Sequence, residues 1–200
     1  MTDTDLGLAL PLPVASAELE DRLARRRSAP AQALSRPGPS REQVARILEL
    51  GARTPDHGKL FPWRFVVLGA DSRAKLAEAF TPLAQNQPQP DKARAVLGKL
   101  TAAPVTILVI SSPVPSQKVP VWEQQLSAGA VCMNLEHAAA ALGFSTSWIT
   151  DWYSYDADAL ALLGLTEGEQ VAGFIHIGTL AEPPLERPRP DLSVKVDYRD

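Results

Sequence analysis

The 200-residue chain holds one cysteine, Cys132, so neither an intrachain disulfide nor a multi-thiolate zinc or iron–sulfur site can form. A lone thiol suits a reducing compartment, and a cytoplasmic location is the expectation. No apolar run approaches the roughly 18–20 residues of a membrane span. The opening Met-Thr-Asp-Thr-Asp lacks the basic stretch of a secretory leader. G-x-G-x-x-G and G-x-x-x-x-G-K-[ST] are both missing, which removes support for a standard dinucleotide fold or a P-loop. Gly143-Phe-Ser-Thr-Ser147 lacks the last glycine of G-x-S-x-G, so a serine-hydrolase elbow is not expected either. The three histidines, His57, His137 and His176, have no metal-ligand spacing, and no metal is expected. Twenty basic against 23 acidic residues give a net charge of −3, with no electrostatic reason for nucleic acid or an anionic membrane as partner.

What is present describes an ordinary globular chain, 45% apolar and 22% charged, with 18 prolines lying mostly between apolar segments. Residues 1–15 read as an irregular arm, 16–182 as one α+β domain and 183–200 as a tail. Ser16 can cap a first helix running to Arg27 with Leu19 and Leu23 facing inward. Ser40-Arg-Glu-Gln43 is a capping box opening a helix with Val44, Ile47 and Leu48 as its apolar stripe. Phe65–Leu68, Val105–Ile110, Ser145–Thr150 and Val171–Ile177 read as strands, the second being the strongest, β-branched and wholly apolar. Helices are expected from an Asp71 cap to Leu83, from Asp91 to about Leu100 and from Asp156 to about Leu163. Between Trp122 and Leu142 lies a helix of roughly 30 Å whose middle and end are almost uncharged, which predicts burial on every side. Within it Cys132 reads as an inert core thiol.

A chain so poor in nucleophiles, metal ligands and acid–base groups can be an enzyme by borrowing its reactive group from a cofactor. Two segments suit that role. Arg25-Arg-Arg-Ser28 offers several charge-assisted donors to a phosphate dianion, although arginines also suit a helix C-terminus for its dipole alone. Arg53-Thr-Pro-Asp-His57 leads to Phe61-Pro-Trp-Arg-Phe65, where Pro62-Trp63 could equally be an aromatic anchor before a strand.

Taken in order, these segments resemble the flavin-dependent nitroreductase family, and within it the short YdjA-like subgroup. The resemblance extends through Lys118-Val-Pro-x-Trp-Glu-Gln124, Ser127-Ala-Gly129, Gly143-Phe, Trp148 and Val171-x-Gly-Phe-x-x-x-Gly178-Thr, and so spans about residues 19–180. It implies an α+β fold with a mostly antiparallel central sheet flanked by helices. It also implies a homodimer built on the long helix, with one FMN at each of two sites across the interface. At matching positions, Arg26, Arg27 and Ser28 would contact the FMN phosphate and ribityl chain. Arg53 and His57 would reach the same flavin from the partner. Trp148, Ile149 and Thr150 would line it, and Arg189 in the tail is a further phosphate candidate. Phe61 stands where a glutamine usually precedes Pro-Trp, and Ile149 where the subgroup can have arginine.

The resemblance further implies hydride transfer from NADH or NADPH to the flavin, then reduction of a nitro compound, quinone or similar small acceptor in ping-pong order. Solvent can supply the protons, so no side chain is assigned a catalytic role. The alternative is a flavin-binding protein without turnover, a carrier or redox-responsive partner. A third reading keeps the fold without flavin, the arginines serving only as helix-end charges.

Overall fold

The computed structural model describes residues 7–199. Seven helices and four strands alternate along it: α1 (Ala17–Ala24), α2 (Arg41–Gly51), β1 (Trp63–Leu68), α3 (Ala70–Ala84), α4 (Pro90–Ala95), α5 (Leu97–Ala102), β2 (Val105–Ser111), α6 (Val121–Ala141), β3 (Ser145–Ile149), α7 (Ala157–Leu162) and β4 (Gln170–Gly178). The strands form one fully antiparallel sheet in the order β1-β2-β4-β3. A sheet of this kind commonly keeps one face wet, but here both faces are covered, which is why β2 is apolar without a break from Ile107 to Ile110.

Strand alternation sorts the core into two halves. Ile107, Val109, Ile175 and Ile177 turn toward α6 and α2, meeting Val131, Cys132, Leu135 and Ile47. Leu108, Ile110 and Phe174 turn the other way, toward Phe80 of α3, Leu97 and Leu100 of α5 and Ala159 of α7. Tyr153 fills the centre of that second half, its ring 5.5 Å from Phe80 and 5.2 Å from Phe174. A buried arginine braces the same layer. Arg73 in the first turns of α3 donates to the carbonyls of Leu100, Ala103 and Pro104, which the end of α5 leaves without helical partners.

The Ser40 capping box forms as its spacing requires, Ser40 accepting from the Gln43 amide and Gln43 from the Ser40 amide. Other expectations are corrected. The first helix stops at Ala24, not Arg27, and buries nothing; Leu19 and Leu23 are 54% and 53% exposed, so its own protomer leaves the apolar stripe half uncovered. The third helix is entered from Gly69, with Asp71 inside its first turn, and the segment after residue 90 is two short helices, not one. The long helix is not buried all round either. Trp122, Leu126 and Ala130 recur at the four-residue spacing of one helical face and are exposed, Trp122 by 67%. At its far end Gly143 adopts φ +86°, and the amides of Gly143 and Phe144 return to the carbonyls of Ala140 and Ala139. That left-handed cap is glycine's use in a helix stop, and it aims the chain straight into β3.

Candidate functional site

The arginine segment begins where α1 ends. Its backbone is pinned to the sheet edge by the Ala29 amide, which donates to the Thr146 carbonyl of β3 at 2.8 Å. Arg26 and Arg27 therefore face a surface cavity of about 560 Å³ between α1, the end of α6 and the start of β3, bounded by Glu136, Phe144 and Thr146. Glu136 is buried and accepts from the Thr146 hydroxyl at 3.0 Å. The Arg26 guanidinium stands 4.0 Å from its carboxylate and 3.5 Å from Ser28 Oγ, both at or beyond hydrogen-bond reach. Arg27 donates its Nε to the Leu185 carbonyl at 2.8 Å, and Arg189 donates to the Arg26 carbonyl at 3.0 Å. The tail thus brings Arg189 to the segment that sequence placed at its other end. Three guanidinium groups with unspent donors and one hydroxyl, Ser28, fit a phosphate dianion.

The second segment follows α2, whose last residue, Gly51, lies so close to α6 that a Cβ there would stand 2.4 Å from Leu135 Cδ2. Thr54 is buried, donating to the Gly51 carbonyl and accepting from Asn134 of α6, both at 2.8 Å. Ser127 of α6 donates to the Pro55 carbonyl at 2.8 Å and accepts from the Trp63 indole at 3.2 Å. The Ser127 and Trp63 motifs are thus a clamp on this loop. Arg53 and His57 are exposed residues of this loop, and His57 Nδ1 lies 2.7 Å from the Glu123 carboxylate. The same loop carries Phe61, 65% exposed and left-handed at φ 49°, its amide held by the Asp56 carboxylate at 2.7 Å.

Along α6 the first segment is met at Glu136, and the second runs from Asn134, which holds Thr54 beside Arg53, to Glu123, which holds His57. Thirteen residues at 1.5 Å each put the Arg26 and His57 contacts about 20 Å apart along the helix. The third predicted group lies along β3 beyond Thr146. Trp148 leans toward the α6 layer with its indole on the Ala172 carbonyl at 3.0 Å, about 7 Å along the strand from the cavity wall at Thr146. Ile149 alternates to the opposite face, and the exposed Thr150 accepts from the Tyr155 hydroxyl at 3.0 Å.

Sequence reading missed Glu136, Thr146 and Glu186. Glu136 had a signal, being the one carboxylate in the second half of an otherwise uncharged helix. Burial pushes the Cys132 thiol up to about 12, with the Glu136 charge adding to it, so it carries no thiolate at neutral pH. Among the described residues, no group of three or more His, Cys, Asp or Glu could hold a metal ion, and no helix is long and apolar enough to cross a membrane.

Residues 23–179 match the Nitroreductase family. The chain is 34% identical over 161 residues to Escherichia coli (strain K12) YdjA, named as an NAD(P)H nitroreductase, covering 78% of this chain and 85% of YdjA. The Bacillus cereus nitroreductase-like family protein superposes with a TM-score of 0.79 at 20% identity, over 95% of this chain and 98% of that one. A Bacteroides fragilis nitroreductase with bound FMN superposes with a TM-score of 0.70 at 21% identity, over 93% of this chain and 100% of that one. The chain belongs to the nitroreductase family, and its YdjA-like character rests on the 34% match.

Proposed function

We propose that this protein is an FMN-dependent NAD(P)H oxidoreductase, working as a homodimer whose two flavin sites are each shared between the subunits. The carrying observation is that two cationic segments are each clamped in place and that Arg26 and His57 meet α6 about 20 Å apart, at Glu136 and Glu123. A second copy packed on the exposed Trp122, Leu126 and Ala130 face of α6 would cover apolar surface and set one copy's Arg53 loop beside the other's Arg26 segment. FMN, when bound, would supply the redox chemistry, hydride exchange with NADH or NADPH and reduction of a nitro compound, quinone or similar small acceptor.

The residues of this chain bind and orient. Arg26, Arg27, Ser28 and Arg189 hold the phosphate through charge-assisted hydrogen bonds. Arg53 and His57 would approach the flavin from the partner and offer it hydrogen-bond donors. The strand end Trp148-Ile149-Thr150 lines the ring. No side chain need move a proton, because solvent reaches an acceptor oxygen in an open site. The sole cysteine is buried, which suits a cytoplasmic protein.

The exposed aromatic Phe61 on the Arg53 loop favours a second reading, a flavin binder whose acceptor space is filled. One spectrum separates the two. The purified protein should be yellow with a flavin absorption band that bleaches anaerobically on adding NADH or NADPH and returns with a quinone. A yellow protein that neither nucleotide bleaches would support the binder. A colourless protein that FMN cannot reconstitute would overturn both.

A further inference from the structure

The tail does more than deliver Arg189 to the arginine segment. It also delivers a carboxylate. Glu186 lies 3.8 Å from Arg27 and 2.9 Å from Arg189, on guanidinium groups that are the site's phosphate donors under the reading above. The Arg187 amide at 2.8 Å, with Arg189 and Arg27 beside it, holds its carboxyl below the usual range, so it is ionised at neutral pH. Glu186 is 62% exposed and its α-carbon neighbours form no helix or strand, so the side chain can leave without disturbing the core. Arg27 also donates to the Leu185 carbonyl, a bond that does not involve the carboxylate.

We infer that Glu186 is an internal counter-ion of the phosphate site, competing with the phosphate for Arg27 and Arg189. The inference rests on the flavin reading, since it needs a phosphate at these arginines. A carboxylate and a phosphate are both anions seeking the same planar donors, and the dianion carries more charge and more acceptor oxygens. Binding must therefore expel Glu186 and reassign Arg189. The segment 185–189 becomes a clasp that discriminates by charge. A dianionic flavin opens it, and a flavin without phosphate leaves it shut.

Flavin fluorescence quenching tests this on the full-length protein, titrated with FMN and separately with riboflavin, for wild type and Glu186→Gln. Two exposed ion pairs of this kind are together worth a factor of about three to ten, so Glu186→Gln should bind FMN about three- to tenfold more tightly. Its affinity for riboflavin should equal that of wild type, and inorganic phosphate should compete with FMN more effectively in the variant. Glu186→Ala should behave as Glu186→Gln does. An FMN affinity that is unchanged or weaker in both variants would overturn the counter-ion and make Glu186 inert or a support for Arg189. Equal gains for riboflavin and FMN would overturn it too, because the effect would then bypass the phosphate. If wild type binds FMN no better than riboflavin, the phosphate assignment falls first and the inference with it.

Discussion

Replacing Gly173 by alanine joins sheet packing to the site in a single methyl group. Gly173 pairs with Val109 beside the β2–β4 irregularity, and the Trp148 indole lies against it. A Cβ at 173 would stand 2.1 Å from Trp148 Nε1 and 2.3 Å from Cδ1, inside any tolerable contact. The ring must swing off, giving up its 3.0 Å bond to the Ala172 carbonyl and its contact with the α6-side core. The lost hydrogen bond costs about 1 kcal/mol, and forced repacking adds roughly 1–3 kcal/mol. For a chain of this size the sum corresponds to a Tm lower by roughly 5–15 °C. Thermal unfolding by circular dichroism reads it, and flavin content per chain should fall in parallel under the proposed function, which sets Trp148 against the ring. On a Trp148→Val background, where no ring overlies residue 173, the same Gly173→Ala change should cost under about 1 kcal/mol. An equal loss in both backgrounds, or no loss in either, would refute the clash as the cause.

Three other outcomes follow from the geometry. Burial, reinforced by Arg73 and Lys99, lowers the His176 imidazole to about 4 from 6.5, while Thr106 holds its Nδ1. The unfolded chain takes the proton near 6.5 and the native one only near 4, so stability should fall by about 3 kcal/mol as pH drops from 6.5 to 4 and then level; His176→Gln should lose that slope, and a variant retaining it would contradict the assignment. Arg73→Met should lower stability by roughly 3–5 kcal/mol, because the Leu100, Ala103 and Pro104 carbonyls lose their donor, and a Tm within 2–3 °C of wild type would show them satisfied otherwise. Deleting residues 1–14 should leave folding intact, since Leu8, Leu10, Leu12 and Val14 are 65–87% exposed; a large drop in Tm would show the arm packed on a partner.

The local rules read well from sequence where one element decides its own structure. The Ser40 capping box, the β2 strand and the Leu142 end of the long helix needed no distant partner. Periodicity could not say which body an apolar face meets. Leu19 and Leu23 have helical spacing yet stay half exposed, and α6 is uncharged along a face that its own protomer leaves bare. The site was legible as motifs and not as geometry. Arg-Arg-Ser and Arg-x-Pro-Asp-His could be named, whereas Ser127, Thr54 and Asn134 act by contacts 72 to 80 residues apart, which no local pattern encodes. Glu186 sits in a charged tail of no periodicity, and only the path of the chain brings it to Arg27.

The claim that each flavin site needs two chains can be tested by co-expressing two crippled subunits. One carries Arg26→Ala with Arg27→Ala, the other Arg53→Ala with His57→Ala. Each homodimer has two half-built sites, and losing two charge-assisted phosphate bonds at roughly 1.5–3 kcal/mol each weakens FMN by at least about a hundredfold in the first. In the mixed dimer one site collects every defect and the other is assembled from unmutated segments. A purified heterodimer should hold about one flavin and roughly half the wild-type activity, as one intact site of two requires. A heterodimer that recovers no flavin would contradict the shared site, because segments lying on one chain leave every site damaged.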